Sequence, residues 1–176
     1  MLVETLNYLL ALGTVLLQIA AAALLAVYFL RKRFPDLEDI AAFLSSWGLW
    51  IGLALTVGGT AINFYYADIL GFTACWHCWV QRIFFTSQAV LFGVALWKKD
   101  RSIADYSIAL SCFGALDALY HHALQLFPES GLPCPAAGVS CAKITFLEFG
   151  YITYPMMALS SFAFLFVVML FVRKRS

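Results

Sequence analysis

The sequence predicts an all-α integral membrane protein built as a bundle of five transmembrane helices. Three observations predict it. Of the 176 residues 63% are hydrophobic and 12% charged, whereas soluble domains run at about 45–50% apolar and about 25% charged. The apolar residues gather into five runs, 6–30, 40–66, 79–97, 103–127 and 149–172, and each is near or above the roughly 20 residues that a spanning helix needs. The stretches between them are too short to build a core of their own, so residues 1–176 read as a single membrane domain. A net charge of +1 gives no bulk attraction for nucleic acid.

The first run follows Glu4, not a basic segment, and ends in Arg31-Lys32-Arg33. It reads as a retained helix and not as a cleaved secretory signal. The second run carries Gly48 and Gly52, a small-xxx-small pair that permits close helix contact. Basic clusters follow the first, third and fifth runs: Arg31-Lys32-Arg33, Lys98-Lys99 with Arg101, and Arg173-Lys174-Arg175. Alternate threading brings all nine to one side, which the positive-inside rule makes cytoplasmic, with the N-terminus outside. Arg82 and Lys143 are the exceptions.

This threading puts four of the five cysteines on the outer, oxidising side. Cys75 and Cys78 open the third run, and Cys134 and Cys141 lie in the loop before the fifth. Static disulfides bracing two loops are one reading. Redox work is the other, and three features favour it. A Cys-x-x-Cys set at a helix start lies where free amides and the positive dipole end stabilise a thiolate. Arg82, four residues after Cys78, lies one turn deeper on the same face, placed to stabilise a thiolate or an acceptor oxygen or else to snorkel to headgroups. The segment 131–141 is rich in turn formers, so the second pair is expected on an exposed, mobile loop.

Asp117, His121 and Gln125 recur every four residues on the fourth run, a polar stripe that either glues helices or lines a site and carries protons. His122 faces elsewhere, towards the membrane interface, and Cys112, near mid-membrane, reads as an inert apolar residue. A zinc site is disfavoured by the seven-residue spacing of the second pair, so no metal is expected. Covalent haem attachment needs His directly after the second Cys, where Trp79 stands. A membrane scaffold with structural disulfides, or an electron carrier holding haem on His77 and His121, are the competing functions.

Cys75-Trp-His-Cys-Trp-Val-Gln-Arg82, His121 with Gln125-Leu-Phe-Pro128, the loop pair, and the run from Phe146 to Pro155 together resemble the DsbB family of quinone-dependent disulfide-generating membrane proteins. The similarity covers residues 40–172. It implies a four-helix DsbB-like bundle in the bacterial cytoplasmic (inner) membrane, with residues 1–33 as one extra N-terminal helix that sets orientation or docks a neighbour. It also implies a catalytic set, Cys75, Cys78, Cys134 and Cys141, that reoxidises a DsbA-like thioredoxin-fold thiol oxidase and so supports disulfide-bond formation. By the resemblance, Cys134 is attacked by the partner, Cys141 relays to Cys75, and Cys78 faces the cofactor, ubiquinone or menaquinone, with Arg82, His121 and Gln125 around it. Relatives of the vitamin K epoxide reductase type carry the loop pair before the Cys-x-x-Cys, and the order here is that of DsbB. The loop between Cys134 and Cys141 is shorter than is usual in that family.

Overall fold

A computed structural model describes residues 2–130, 133–134 and 140–173. Its long helices are α1 (Leu2–Leu30), α2 (Leu37–Phe64), α3 (Trp76–Lys98), α4 (Ile103–Leu126) and α5 (Tyr154–Val172). One π-helical stretch, Tyr65–Ile69, prolongs α2, and a short turn, Pro128–Ser130, follows α4. Lys174, Arg175 and most of the 131–139 segment, including its expected mobility, lie outside the described residues.

Four helices, α1, α2, α3 and α5, are long and apolar enough to cross a membrane. The fourth of the five expected spans does not meet that measure by composition, for a visible reason. In α4, Ser107, Ser111, His121, His122 and Gln125 are buried, while Phe113, Leu116 and Leu119 are exposed. The helix turns its polar groups inward, as membrane proteins do, and its apolar stripe outward. Ser107 and Ser111 both donate to Gln88 Oε1 on α3, at 2.6 and 3.2 Å, so part of the polarity that lowers its hydropathy is used as interhelical contact.

The fifth element also begins later than the expected 149. Phe149 and Gly150 take left-handed conformations, φ 52° and 76°, and a bridge pairs Glu148 with Ile152. Glycine adopts that conformation without a Cβ penalty, and the turn it makes ends just before Pro155, which suits the first turn of α5 because no amide is needed there.

The core joins α2, α3, α4 and α5 around Phe92, Phe162, Leu165 and Met169. The small pair on α2 allows close approach: Gly48 meets Val172 and Gly52 meets the Phe92 ring. A Cβ at position 52 would lie 2.8 Å from Phe92 Cζ. Gly52→Ala is therefore expected to cost about 1–3 kcal/mol by overpacking, read as a lower melting temperature in detergent. Gly93→Ala, which adds a methyl to open space, should not lower it.

The basic clusters meet at one end of the bundle. Arg31 lies over the rings of Tyr28 and Phe171, at 4.7 and 5.4 Å. Arg101 donates to Ser45 at 3.0 Å and Arg173 pairs with Asp105 at 2.6 Å. The cysteine pairs lie at the opposite end, where α3 starts and α4 finishes.

Candidate redox site

α3 starts at the cysteine pair itself. Cys75 is its N-cap in extended conformation, and its sulfur accepts from the Cys78 amide at 3.4 Å. Trp76 to Cys78 form the first turn, so the positive end of the helix is directed at the Cys75 sulfur. The two sulfurs are 2.8 Å apart. The Cys75 thiol is pushed up to about 12, first by its hydrogen bond to the Cys78 sulfur and then by burial, with His121 acting the other way. In the reduced pair Cys75 therefore keeps its proton and shares it with Cys78.

The second pair is less exposed than its loop composition suggests. Cys141 is 1% exposed and packs with Cys75 and Leu124, with Cys78, Cys134 and Tyr120 against the same cluster. Cys134 is half-buried, and Tyr120 donates to the Pro133 carbonyl beside it at 2.7 Å. The expectation of two solvent-exposed loop cysteines is corrected to one partly open sulfur and one enclosed. The Cys141 thiol interacts with both the Cys134 and the Cys75 thiols, and burial, followed by the Cys134 contact, raises it to about 12. All four cysteines thus form one group in which Cys141 bridges the pairs.

A polar network backs Cys75. His121 Nε2 lies 3.5 Å from its sulfur. Gln81 Nε2 approaches His121 Nδ1 at 3.2 Å and donates to Asp117 Oδ2 at 3.3 Å. His77 Nδ1 donates to Asp117 Oδ1 at 2.7 Å. A carboxylate only accepts, so Asp117 orients the Gln81 amide with its nitrogen inward, and that nitrogen donates its second proton to His121 Nδ1. Neutral His121 then carries its proton on Nε2, aimed at Cys75. The imidazole is a hydrogen-bond donor to the sulfur, held in one tautomer from behind.

The predicted stripe on α4 divides. Asp117 and His121 join the network, whereas Gln125 donates to the Lys143 carbonyl at 3.3 Å. His122 is buried and faces away from the network, with Nδ1 3.0 Å from Thr153 Oγ1. Cys112 is exposed on the outer face of α4, remote from the cluster. His77 and His121 stack with centroids 5.4 Å apart, which leaves no room for a porphyrin between them. Cys75, Cys78 and His121 present ligand atoms within 4.8 Å of one another, so this corner of the reduced site could hold a metal ion.

Arg82 is buried, and donates to Asn63 through Nε at 3.4 Å and to the Asn63 carbonyl through Nη2 at 3.1 Å. Its guanidinium also lies over the rings of Trp79 and Phe64, at 4.9 and 5.4 Å. These contacts hold the charge one turn below Cys78 and keep it from snorkelling outward. Arg82, Cys78 and Gln81 share the wall of a cavity of about 670 Å³, within the usual range for small-molecule sites. His121 and Gln125 do not line it, so the three residues expected around a cofactor separate: Arg82 on the cavity, His121 behind the Cys75 sulfur and Gln125 on the Lys143 carbonyl. The buried Tyr154 hydroxyl, without a hydrogen-bond partner among the described residues, is also in the wall. An orphaned donor and a held guanidinium beside a thiol suit a ligand with carbonyl oxygens. Gln81, Asn63 and Tyr154 were not singled out from sequence; Gln81 and Asn63 are polar residues inside apolar runs, which was their signal.

Residues 44–172 match the family model of the disulfide bond formation protein DsbB. The chain belongs to the DsbB family. It is 36% identical over 112 residues to the SPbeta prophage-derived disulfide bond formation protein B of Bacillus subtilis (strain 168), covering 64% of this chain and 76% of that protein. It is also 36% identical over 124 residues to the probable disulfide formation protein C of Bacillus cereus, covering 69% and 84%. A probable disulfide formation protein of Oceanobacillus iheyensis is 32% identical over 127 residues, 70% and 85% of the two chains. No solved structure matches. DsbB membership and the four apolar spans make this a multi-pass membrane protein, an oxidoreductase of disulfide-bond formation. The family match leaves α1 outside.

Proposed function

We propose that this protein is a dithiol:quinone oxidoreductase. It reoxidises a DsbA-like thioredoxin-fold protein outside the cytoplasmic membrane and passes the electrons to a membrane quinone. The observation that carries this reading is the placement of Cys141 against Cys75, which joins the two pairs, with the Arg82-lined cavity beside Cys78. In orientation, the cysteine end faces outward and the basic end faces the cytoplasm.

Each exchange is a thiolate attack on a disulfide sulfur. The partner's thiolate attacks Cys134 of the Cys134–Cys141 disulfide, forming a mixed disulfide and releasing Cys141. The partner's second thiolate resolves the mixed disulfide, and the partner leaves oxidised. Cys141 then attacks Cys75, the Cys75–Cys78 bond breaks, and Cys78 departs as a thiolate one turn above Arg82. Cys141 is released by the partner's attack as a thiolate already packed against Cys75, so it attacks before it must be deprotonated again. Cys134 attacks Cys141 and restores the first disulfide, and Cys75 leaves while accepting from the Cys78 amide and His121 Nε2. The two electrons and two protons of the Cys75–Cys78 dithiol pass to the acceptor. A quinone would supply the capacity to take up both, and Arg82 and Tyr154 are the donors that would hold its oxygens.

The test is anaerobic turnover of purified protein with a reduced thioredoxin-fold donor and a short-chain quinone. Quinol should form in equal amount to donor disulfide. Arg82→Lys keeps the charge and loses the planar fork, so the KM for quinone should rise about tenfold or more while the donor still reduces the Cys134–Cys141 pair. Donor oxidation without quinone consumption would sink the reading.

A further inference from the structure

α1 lies outside the matched family region, yet it is not a loosely attached anchor. Gln18 Nε2 donates to Ser160 of α5 at 2.8 Å and Gln18 Oε1 accepts from Tyr151 at 2.9 Å. Asn7 Oδ1 accepts from the Tyr66 hydroxyl at the end of α2, and Ala11, fully buried, packs with Phe146 and Ile152. Polar side chains that meet across helices in this way fix register and rotation. α1 is thereby docked along α5 and only lightly against α2. The space left between α1 and α2 is the cavity that contains Cys78 and Arg82: Leu10, Gly13 and Leu17 line it from α1, and Leu55 and Gly58 from α2.

Two glycines keep this space open. A Cβ built at Gly13 or at Gly58 meets no atom within 4 Å. On α2 and the π-helical stretch that prolongs it, the lining extends from Ala54 to Ala67, about 20 Å along the helix axes. Its apolar part is deep in the bundle, and its polar groups, Asn63, Gln81, Arg82 and the Tyr154 hydroxyl, lie towards the cysteine end. A long apolar chamber with oxygen-binding groups at one end matches an acceptor with a polar ring and a hydrocarbon tail. It does not match a lipid acyl chain, which has no use for the buried guanidinium. Asn7 adds a second link, since the Tyr66 that it holds also lines the chamber and packs edge-on against Tyr154 at 5.3 Å.

We infer that α1 is a structural part of the quinone site, supplying through Leu10, Gly13 and Leu17 the wall against which the ring and the start of the tail lie. The inference rests on the quinone reading above and adds to it that the helix outside the family region sets acceptor affinity. Gly13→Phe would project a ring into the chamber from α1, and Gly58→Phe would do so from α2.

The experiment measures binding of decylubiquinone to the purified full chain by tryptophan fluorescence quenching, with quinone-induced thermal stabilisation as a second readout. Wild type should bind. Gly13→Phe and Gly58→Phe should each weaken binding about tenfold or more, and Gly93→Ala, outside the chamber wall, should bind as wild type does. Reduction of the Cys134–Cys141 pair by a dithiol should be unchanged in all of them. A photoreactive azidoquinone, which needs no variant, should label the peptide containing residues 9–17. Labelling confined to α2, α3 and α5, or wild-type affinity in folded Gly13→Phe alongside weakened Gly58→Phe, overturns the role of α1 and leaves the quinone reading intact. Absence of quinone binding by wild type overturns the quinone reading and the role of α1 with it.

Discussion

Cys141→Ser is expected to lower turnover about 10³-fold or more, and a partner whose second cysteine is replaced by serine is expected to leave a mixed disulfide with Cys134 on the wild-type protein. Cys134 is the half-buried sulfur of its pair and Cys141 the enclosed one, 1% exposed beside Cys75, so a soluble protein can reach only the first. Without Cys141 there is no disulfide for the partner's thiolate to attack and no thiolate to attack Cys75. Cys134→Ser should abolish partner oxidation while quinone still oxidises Cys75 and Cys78. Cys112→Ser, on the outer face of α4, should change neither. Non-reducing gels with peptide mass spectrometry read all three; full activity in both loop variants would make that pair structural.

Asp117→Asn is expected to slow turnover about 10–100-fold, the worth of one hydrogen bond to a charged group. Asp117 holds Gln81 at 3.3 Å, and Gln81 in turn fixes the His121 tautomer that donates to Cys75. An amide at position 117 offers a donor as readily as an acceptor, so the orientation of Gln81 is no longer set and Cys75 becomes a poorer leaving group when Cys134 attacks Cys141. A species with Cys75 bonded to Cys141 should accumulate. If the three residues act in series, Asp117→Asn combined with His121→Ala should be no slower than His121→Ala alone, since groups in one network are not additive. Independent, multiplying losses with no accumulated species would assign Asp117 to packing alone.

Much of this arrangement was legible in the residues because membrane spans are read from continuous apolar runs, and four of the five met that measure. The helix that did not, α4, is also the one that brings His121 and Asp117 to the sulfurs, and the polarity that lowers its hydropathy is partly the site itself. The Cys-x-x-Cys set and Arg82 were legible because their spacing is local to one helix. The burial of Cys141 was not, since a loop with prolines and glycines reads as exposed whether or not it folds back over a helix end. Gln125 was assigned with His121 by its four-residue interval, but it lies one turn nearer the helix end, where the Lys143 carbonyl is its acceptor. Gln81 and Asn63 depend on partners 36 and 19 residues away, and no periodicity within one helix could pair them. The tight contacts of Gly48 and Gly52 followed from the small-xxx-small spacing, although which helices they meet did not.

The link between Cys141 and Cys75 is what makes the two pairs one pathway. Wild-type protein should be turned over with reduced partner under limiting quinone, quenched in acid, alkylated and mapped by mass spectrometry. A disulfide between the Cys75 and Cys141 peptides should build up as quinone is exhausted and disappear when quinone is restored. Continued oxidation of the partner with only Cys75–Cys78 and Cys134–Cys141 bonds at every time point would contradict the relay.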